Sequence, residues 1–243
     1  MTVKFAFAIP TRNSVETVEQ ALMSLAAQSY KKWRAVIVDD CSTDSTVDAI
    51  ETVALELGIS NKLKIIQNTE RLWEIANTVK CLEHIGDDEI VCRLDLDDYL
   101  CDLNALEIIA KNYDKDPELD IVYTAHRWYD QNGITTQNIS GPMPQNVDPY
   151  KHPWCASHFK TFRKSVLNDV SDMNFRDSSG EYFKRIGDQA FMLPALFKAR
   201  KHKFLPIAAY AYRCNMSPET FQTEDAKYQK QEADYLRSRG FVK

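Results

Sequence analysis

Two periodicities alternate along this chain. Short apolar runs at residues 3–9, 34–38, 62–67, 89–94, 120–124 and 204–212 read as strands, and between them apolar side chains return every three or four positions. Val15, Val18, Leu22, Leu25 and Ala26 share one helical face; residues 46–57 form a second helix; Ile75, Val79 and Leu82 mark a third over 72–84; a fourth covers 103–113. Repeated β-α units of this length predict a mostly parallel central sheet flanked by helices and joined by right-handed crossovers. The first strand is expected to stop at Pro10.

Beyond residue 137 the pattern changes. Pro142, Pro144, Pro149 and Pro153 punctuate residues 137–153, a long loop of the kind that usually carries function. Residues 158–163 alternate like a strand. A helix over 189–199 turns Phe191, Met192, Ala195 and Leu196 inward, and Pro194 should kink it or confine its regular part to the residues after the proline. The tail from Pro218, with Phe221, Tyr228, Tyr235 and Leu236, predicts a surface helix folding back on the body.

At 243 residues and 44% hydrophobic, the chain can bury a full core as one large domain or two closely joined lobes. It holds no apolar run long enough to span a membrane, and its opening is too short for a signal sequence, so a cytoplasmic location is expected. The six cysteines form no C-x-x-C pair, and His152 and His158 stand six apart with Pro153 between them, which argues for reduced thiols and against zinc. The net charge of -5 is unevenly placed: residues 1–150 carry 13 basic against 25 acidic side chains, and residues 151–213 carry 12 against 5. The basic segment suits an anionic partner, or it is simply a solvated surface.

The candidate chemistry gathers where predicted strands end, which is where open α/β sheets bind ligands. Thr11, Arg12, Asn13 and Ser14 follow the first strand, without the glycine fingerprints of a dinucleotide fold or a P-loop. Asp39, Asp40 and Asp44 follow the second, either capping the next helix or accepting from a planar base. Arg71 follows the third, where a cation meets a phosphate or base. Asp95, Asp97 and Asp98 follow the fourth. If strand geometry persists, Asp95 and Asp97 face the same side, and a divalent cation, Mn2+ or Mg2+, relieves their repulsion best. The plainer reading is an acidic turn with Asp98 or Asp102 capping the next helix. Asp188 opens the later helix, where an N-cap is the common role for aspartate.

Taken in order, these motifs resemble the family 2 glycosyltransferases of the GT-A fold, an α/β, Rossmann-like architecture, over about residues 3–212. The likeness rests on Ile9-Pro10-Thr11-Arg12-Asn13, on Ser24 to Tyr30 (Ser-x-x-x-Gln-x-Tyr), on Asp39-Asp40-Cys41-Ser42-Thr43-Asp44-Ser45-Thr46, and on Asp95-Leu96-Asp97-Asp98. It implies a nucleotide-sugar-binding half at 1–125, an acceptor-binding and catalytic half at 126–215 and a helical tail at 216–243, within a single GT-A domain. It implies that Pro10, Thr11, Arg12, Asn13, Asp40, Arg71 and Asp95 contact the nucleotide, that Asp97 with Asp95 holds Mn2+ or Mg2+, and that Asp188 is the base of an inverting transfer. Asp98, His158 and Arg213 are candidate acceptor or diphosphate contacts; Arg213 stands where relatives often keep a histidine. The implied partners are a nucleotide-sugar donor, expected to be a UDP-sugar, and an acceptor of anionic kind: a saccharide, a lipid-linked glycan or a modified nucleic acid. A haloacid-dehalogenase-like phosphotransferase and a non-catalytic nucleotide-binding module are the competing readings. The phosphotransferase normally carries its acidic motif on the first strand, not the fourth.

Overall fold

The computed structural model describes residues 3–130, 133–135, 138–214 and 224–243, and a nine-stranded sheet runs through it. Its first half is β1 (Phe5–Thr11), β2 (Trp33–Asp39), β3 (Leu63–Gln67) and β4 (Ile90–Arg93), all parallel, in the order β3-β2-β1-β4. Helices α1 (Val18–Ala26), α2 (Thr46–Glu56) and α3 (Trp73–Leu82) make the crossovers. Helices on both faces explain why β1, β2 and β4 read as unbroken apolar runs.

The sheet continues through β5 (Tyr99–Leu100), β6 (Ile121–Asp130), β7 (Gly133–Ile134), β8 (Lys160–Arg163) and β9 (His202–Arg213), with α4 (Ala105–Lys115), α5 (Gly187–Lys198) and α6 (Glu224–Arg239) around it. β8 is the turning point, running antiparallel to both β4 and β6, while β6 and β9 are parallel again. One continuous sheet therefore passes from the first half into the second, and residues 125 and 126 adjoin within β6.

Alternation along β1 builds two cores of different depth. Phe5, Phe7 and Ile9 enter one with Leu22, Trp33, Ile37, Ile109 and Phe159. Ala6 and Ala8 face the other, beside Ile75, Phe162, Phe191 and Leu193. The small residues on that face let α3 settle close to the sheet, and α3 carries one wall of the cleft at the strand ends.

Three local expectations need revision. Pro10 lies inside β1, paired with Val38 of β2. β4 partners β1 only from Phe5 to Ala8, so a residue without an N–H is tolerated beyond that point. α5 begins seven residues before Pro194 and passes through it. β4 ends at Arg93, and the Asp98 N–H bonds the Asp95 carbonyl at 3.0 Å, so Asp95 to Asp98 form a turn rather than a strand extension.

The tail does fold back. Leu236 of α6 is 0% exposed in the second core. The Glu232 carboxylate accepts the N–H groups of Lys184 and Arg185 at 2.9 and 2.8 Å, which ties α6 to the segment before α5. Pro218 and Phe221 lie outside the described residues. Among the described residues no helix is long and apolar enough to cross a membrane. Leu236→Ala is expected to lower stability by about 2–4 kcal/mol through the lost burial and the cavity left behind, measured by chemical denaturation.

Candidate active site

In the parallel half the chain moves from β1 outward to β2 and β3, then returns to the other side of β1 as β4. A reversal of strand order leaves a crevice at the carboxyl ends, because the two connections depart in opposite directions. A cleft of about 440 Å³ opens there. Pro10, Thr11, Arg12 and Ser14 form one wall, Trp73, Glu74 and Asn77 of α3 another, and Asp95, Asp97 and Tyr212 face them. Arg71, Lys184, Arg185 and Gln229 border the opening.

Of the residues expected along the nucleotide, Pro10, Thr11, Arg12, Asp40, Arg71 and Asp95 reach the cleft and Asn13 does not. Asn13, at φ 53°, instead stitches two loops together: its N–H donates to Ser42 Oγ at 2.9 Å and its Oδ1 accepts the Thr43 N–H at 2.8 Å. Asp40 is buried, and its carboxylate accepts the N–H groups of Leu72 and Trp73 at 2.6 and 2.9 Å and Asn68 Nδ2 at 3.2 Å. It thus satisfies the orphan amides at the start of α3, where negative charge also suits the helix dipole. The helix it caps is the third, not its own. Trp73, at φ 69°, presents its ring to three cations: the Arg71 guanidinium stacks 3.4 Å from the ring centroid, and Lys184 and Arg185 each lie 5.7 Å away.

In the acidic turn, Asp97 is exposed to the cleft, and partial desolvation together with the charge of Asp95 pushes its carboxyl up to about 6. Two neighbouring carboxylates, the charge of Asp95 raising the Asp97 carboxyl, fit a divalent cation with hard oxygen preference. Among the described residues, no group of three or more His, Cys, Asp or Glu side chains converges on one metal position. Asp98 borders the cleft, but its oxygens are taken by the Tyr210 hydroxyl at 2.8 Å and the Arg213 N–H at 2.6 Å. Burial and the charges of Asp97 and Asp95 push Asp98 up to about 9. Arg213 anchors the same turn from β9, donating to the Asp97 carbonyl at 2.9 Å and to Gln20 Oε1 at 2.8 Å.

The floor of the cleft was not foreseen from the sequence. Arg93, 3% exposed, donates through Nη2 to Glu74 Oε1 at 2.8 Å, stands 3.6 Å from Asp95 Oδ1, and donates through Nη1 to Thr78 Oγ1. Burial, against the pull of Arg93, pushes the Glu74 carboxyl up to about 7. The side-chain amide of Asn77 is buried with Nδ2 lacking a hydrogen-bond partner, while its Oδ1 accepts Asn68 Nδ2 at 2.6 Å. Glu74, Asn77 and Thr78 lie on one helical face at i, i+3 and i+4, and that polar stripe is the signal the sequence offered.

Asp188, in the first turn of α5, is not among the residues that line the cleft; it adjoins them through Gly187, whose backbone abuts the Glu74 carboxylate. Its carboxylate does not cap the helix: Ile186 holds the N-cap position, without a side-chain cap bond, and Asp188 Oδ1 instead contacts Lys160 Nζ. Its Oδ2 lies 3.4 Å from both His158 Nε2 and Ser157 Oγ. Burial alone would raise this carboxyl, but the Lys160 ammonium overrides it and holds Asp188 well below the usual carboxylate range. Lys160 is 2% exposed, and it also bonds His158 Nδ1 at 3.0 Å. His158 is not a cleft contact. It sits behind Asp188, stacked on the rings of Tyr210 and Tyr212 with centroids 5.0 and 5.1 Å away. Burial first, and Lys160 second, hold the His158 imidazole down to about 3 and the His126 imidazole to about 4.

A family model described as Glycosyl transferase family 2 matches residues 6–171. The chain is 26% identical over 213 residues to the poly(ribitol-phosphate) beta-N-acetylglucosaminyltransferase TarS of Staphylococcus aureus strain Mu50, an alignment that takes in 86% of this chain and 35% of TarS. It therefore spans about a third of that relative's length. A crystal structure of S. aureus TarS in complex with UDP-GlcNAc superposes with a TM-score of 0.69 at 23% identity, covering 96% of this chain and 72% of that one. The mannosyltransferase PcManGT from Pyrobaculum calidifontis, in complex with GDP-Man and Mn2+, superposes with a TM-score of 0.67 at 17% identity, covering 98% and 64%. These likenesses establish the GT-A fold, and the family match decides between the enzyme classes that the acidic turn alone left open.

The two buried imidazoles give the site a pH signature. Their folded pKa values are depressed below the ordinary value near 6.5, so the unfolded chain binds the protons that the fold excludes. The stability they contribute is complete above about pH 6.5 and is lost as pH falls toward their folded values. Between pH 6.5 and 4.5 the unfolding free energy is expected to drop by up to about 1.4 kcal/mol per pH unit for each histidine, and His126→Gln should remove about half of that slope in a urea-denaturation series.

Proposed function

The chain belongs to glycosyl transferase family 2, and from that premise we propose that it transfers a sugar from a UDP-sugar to a hydroxyl acceptor, with inversion at the anomeric carbon and with Mn2+ or Mg2+ bound. The observation that carries this reading is the pair Asp95 and Asp97 lining the crevice at the strand-order reversal, with the ionised Asp188 adjoining it through Gly187, whose backbone abuts the cleft-lining Glu74.

A sugar diphosphate breaks at the anomeric carbon only if the departing nucleotide is stabilised. Asp95 and Asp97 would hold the cation, which when bound there neutralises charge on the diphosphate without a proton. Arg71, Lys184 and Arg185, gathered around Trp73 at the mouth, add positive charge for phosphate. Pro10, Thr11 and Arg12 line the wall along which the nucleoside would lie. Asp188 accepts the proton of the attacking hydroxyl. Lys160 contacts Oδ1 and keeps the group ionised, and the acceptor hydroxyl would approach Oδ2, which Ser157 Oγ and His158 Nε2 flank at 3.4 Å. A base with a low pKa still serves here, because the hydroxyl becomes strongly acidic as its oxygen bonds to carbon. One base and one displacement invert the anomeric centre.

The acceptor reading is an anionic, hydroxyl-bearing molecule, supported by the basic segment at 151–213 and by the poly(ribitol-phosphate) named for the relative TarS. Six free cysteines are consistent with a reducing, cytoplasmic setting.

Incubation with UDP-GlcNAc, UDP-glucose, UDP-galactose and GDP-mannose in the presence of Mn2+ tests the reading directly. Release of UDP from a UDP-sugar is expected, and release of inorganic phosphate instead would overturn it. Asp188→Asn should lower turnover by about 100-fold or more while calorimetric UDP binding stays unchanged; full activity in that variant removes Asp188 from the role. Chelation with EDTA should reduce release to background, restored by added Mn2+, and Asp97→Asn should abolish the Mn2+ response.

A further inference from the structure

Glycine at 187 is not there for its backbone, whose φ is outside the left-handed region. It is there for space. A Cβ at this position would stand 1.7 Å from Glu74 Oε1 and 2.1 Å from Glu74 Cδ, so any other residue would evict the Glu74 carboxylate. That carboxylate therefore lies against the backbone of the residue next to Asp188, and Arg93 holds it 2.8 Å away on its other side. Asp95 stands 3.6 Å from the same guanidinium. Glu74 thus sits between the side chains assigned to the leaving diphosphate and the one assigned to the incoming hydroxyl, which in an in-line displacement is where the sugar itself must lie.

We propose that Glu74 recognises the transferred sugar, its carboxylate accepting hydrogen bonds from the ring hydroxyls of the hexose. This rests on the glycosyltransfer reading and names a residue that selects the donor within it. The chemistry suits the task. Arg93 donates to Oε1 alone, so the carboxyl group keeps further acceptor sites, and hydroxyl groups of a sugar are the donors that fit them. The floor also supplies the opposite partner, since the buried Asn77 Nδ2, one turn further along α3 on the same wall, has a proton with no acceptor. A hydroxyl both donates and accepts, so a donor site and an acceptor site on one wall match it better than they match a phosphate.

The alternative role for Glu74 is only to neutralise Arg93. The two roles separate in what they do to UDP and to UDP-sugar. With the UDP-sugar that the wild type uses fastest among UDP-GlcNAc, UDP-glucose and UDP-galactose, Glu74→Ala and Glu74→Gln should lower kcat/KM by about tenfold or more and narrow the preference between the C4 epimers, while UDP affinity measured by calorimetry changes less than about twofold. Gly187→Ala should reproduce that loss with the carboxylate still present in the chain. In the Glu74→Ala background it should add no further loss, because the space is then free. Equal weakening of UDP and UDP-sugar would make Glu74 a structural counter-ion and overturn the proposal, as would unchanged donor use, or losses from the two sites that simply add. If the wild type releases UDP from none of the three donors, the UDP-sugar reading itself falls, an outcome distinct from any of these.

Discussion

Arg93 ends β4 with its guanidinium buried, and a charge in that position has to be neutralised where it stands, because an unpaired ion there would cost several kcal/mol. That requirement draws Glu74 in from α3 and Asp95 back from the acidic turn. Helix α3 and the acidic turn are thereby pinned to the carboxyl end of one central strand. The position also explains the small residues around it: Ala6 and Ala8 bring α3 close to the sheet, and Gly187 gives the Glu74 carboxylate room.

The same logic repeats one strand away. β8, antiparallel to β4, places Lys160 on the floor, and Asp188 answers its charge. His158, held neutral between two tyrosine rings, completes the lysine's hydrogen bonding without adding a second positive charge. Across the floor the charges run Lys160, Asp188, Arg93, Glu74, Asp95, alternating until the last two. Negative charge in surplus accumulates toward Asp97, on the side where a cation and a diphosphate are wanted. Asp98 would add to that surplus, but burial and its bonds to β9 set it apart as the fastening of the turn.

The location of this network follows from topology. The reversal of strand order between β1 and β4 opens the crevice, and the antiparallel β8 brings the second half of the chain to its far wall. The tail then closes the arrangement from outside, with Glu232 holding the backbone of Lys184 and Arg185 at the mouth. The crystal structure of S. aureus TarS in complex with UDP-GlcNAc shares this fold over 96% of the chain.

Much was decided by local pattern. The alternation of apolar runs with helical stripes set out β1 to β4 and α1 to α3, and the polar residues at the strand ends marked where the cleft lies, since each depends only on neighbours along the backbone. Asp188 was legible as a residue in a first helical turn, and Asp95 and Asp97 as a pair. What the sequence left open was partnership. Nothing in the composition of the basic segment says that Lys160 is buried while Lys198, Lys201 and Lys203 face water, that Asp40 serves the third helix, or that Glu74 needs Gly187. These depend on which strands become neighbours and in which direction β8 runs. Charge compensation in a buried floor is a contact between residues distant in the chain, and only the tertiary structure brings them together.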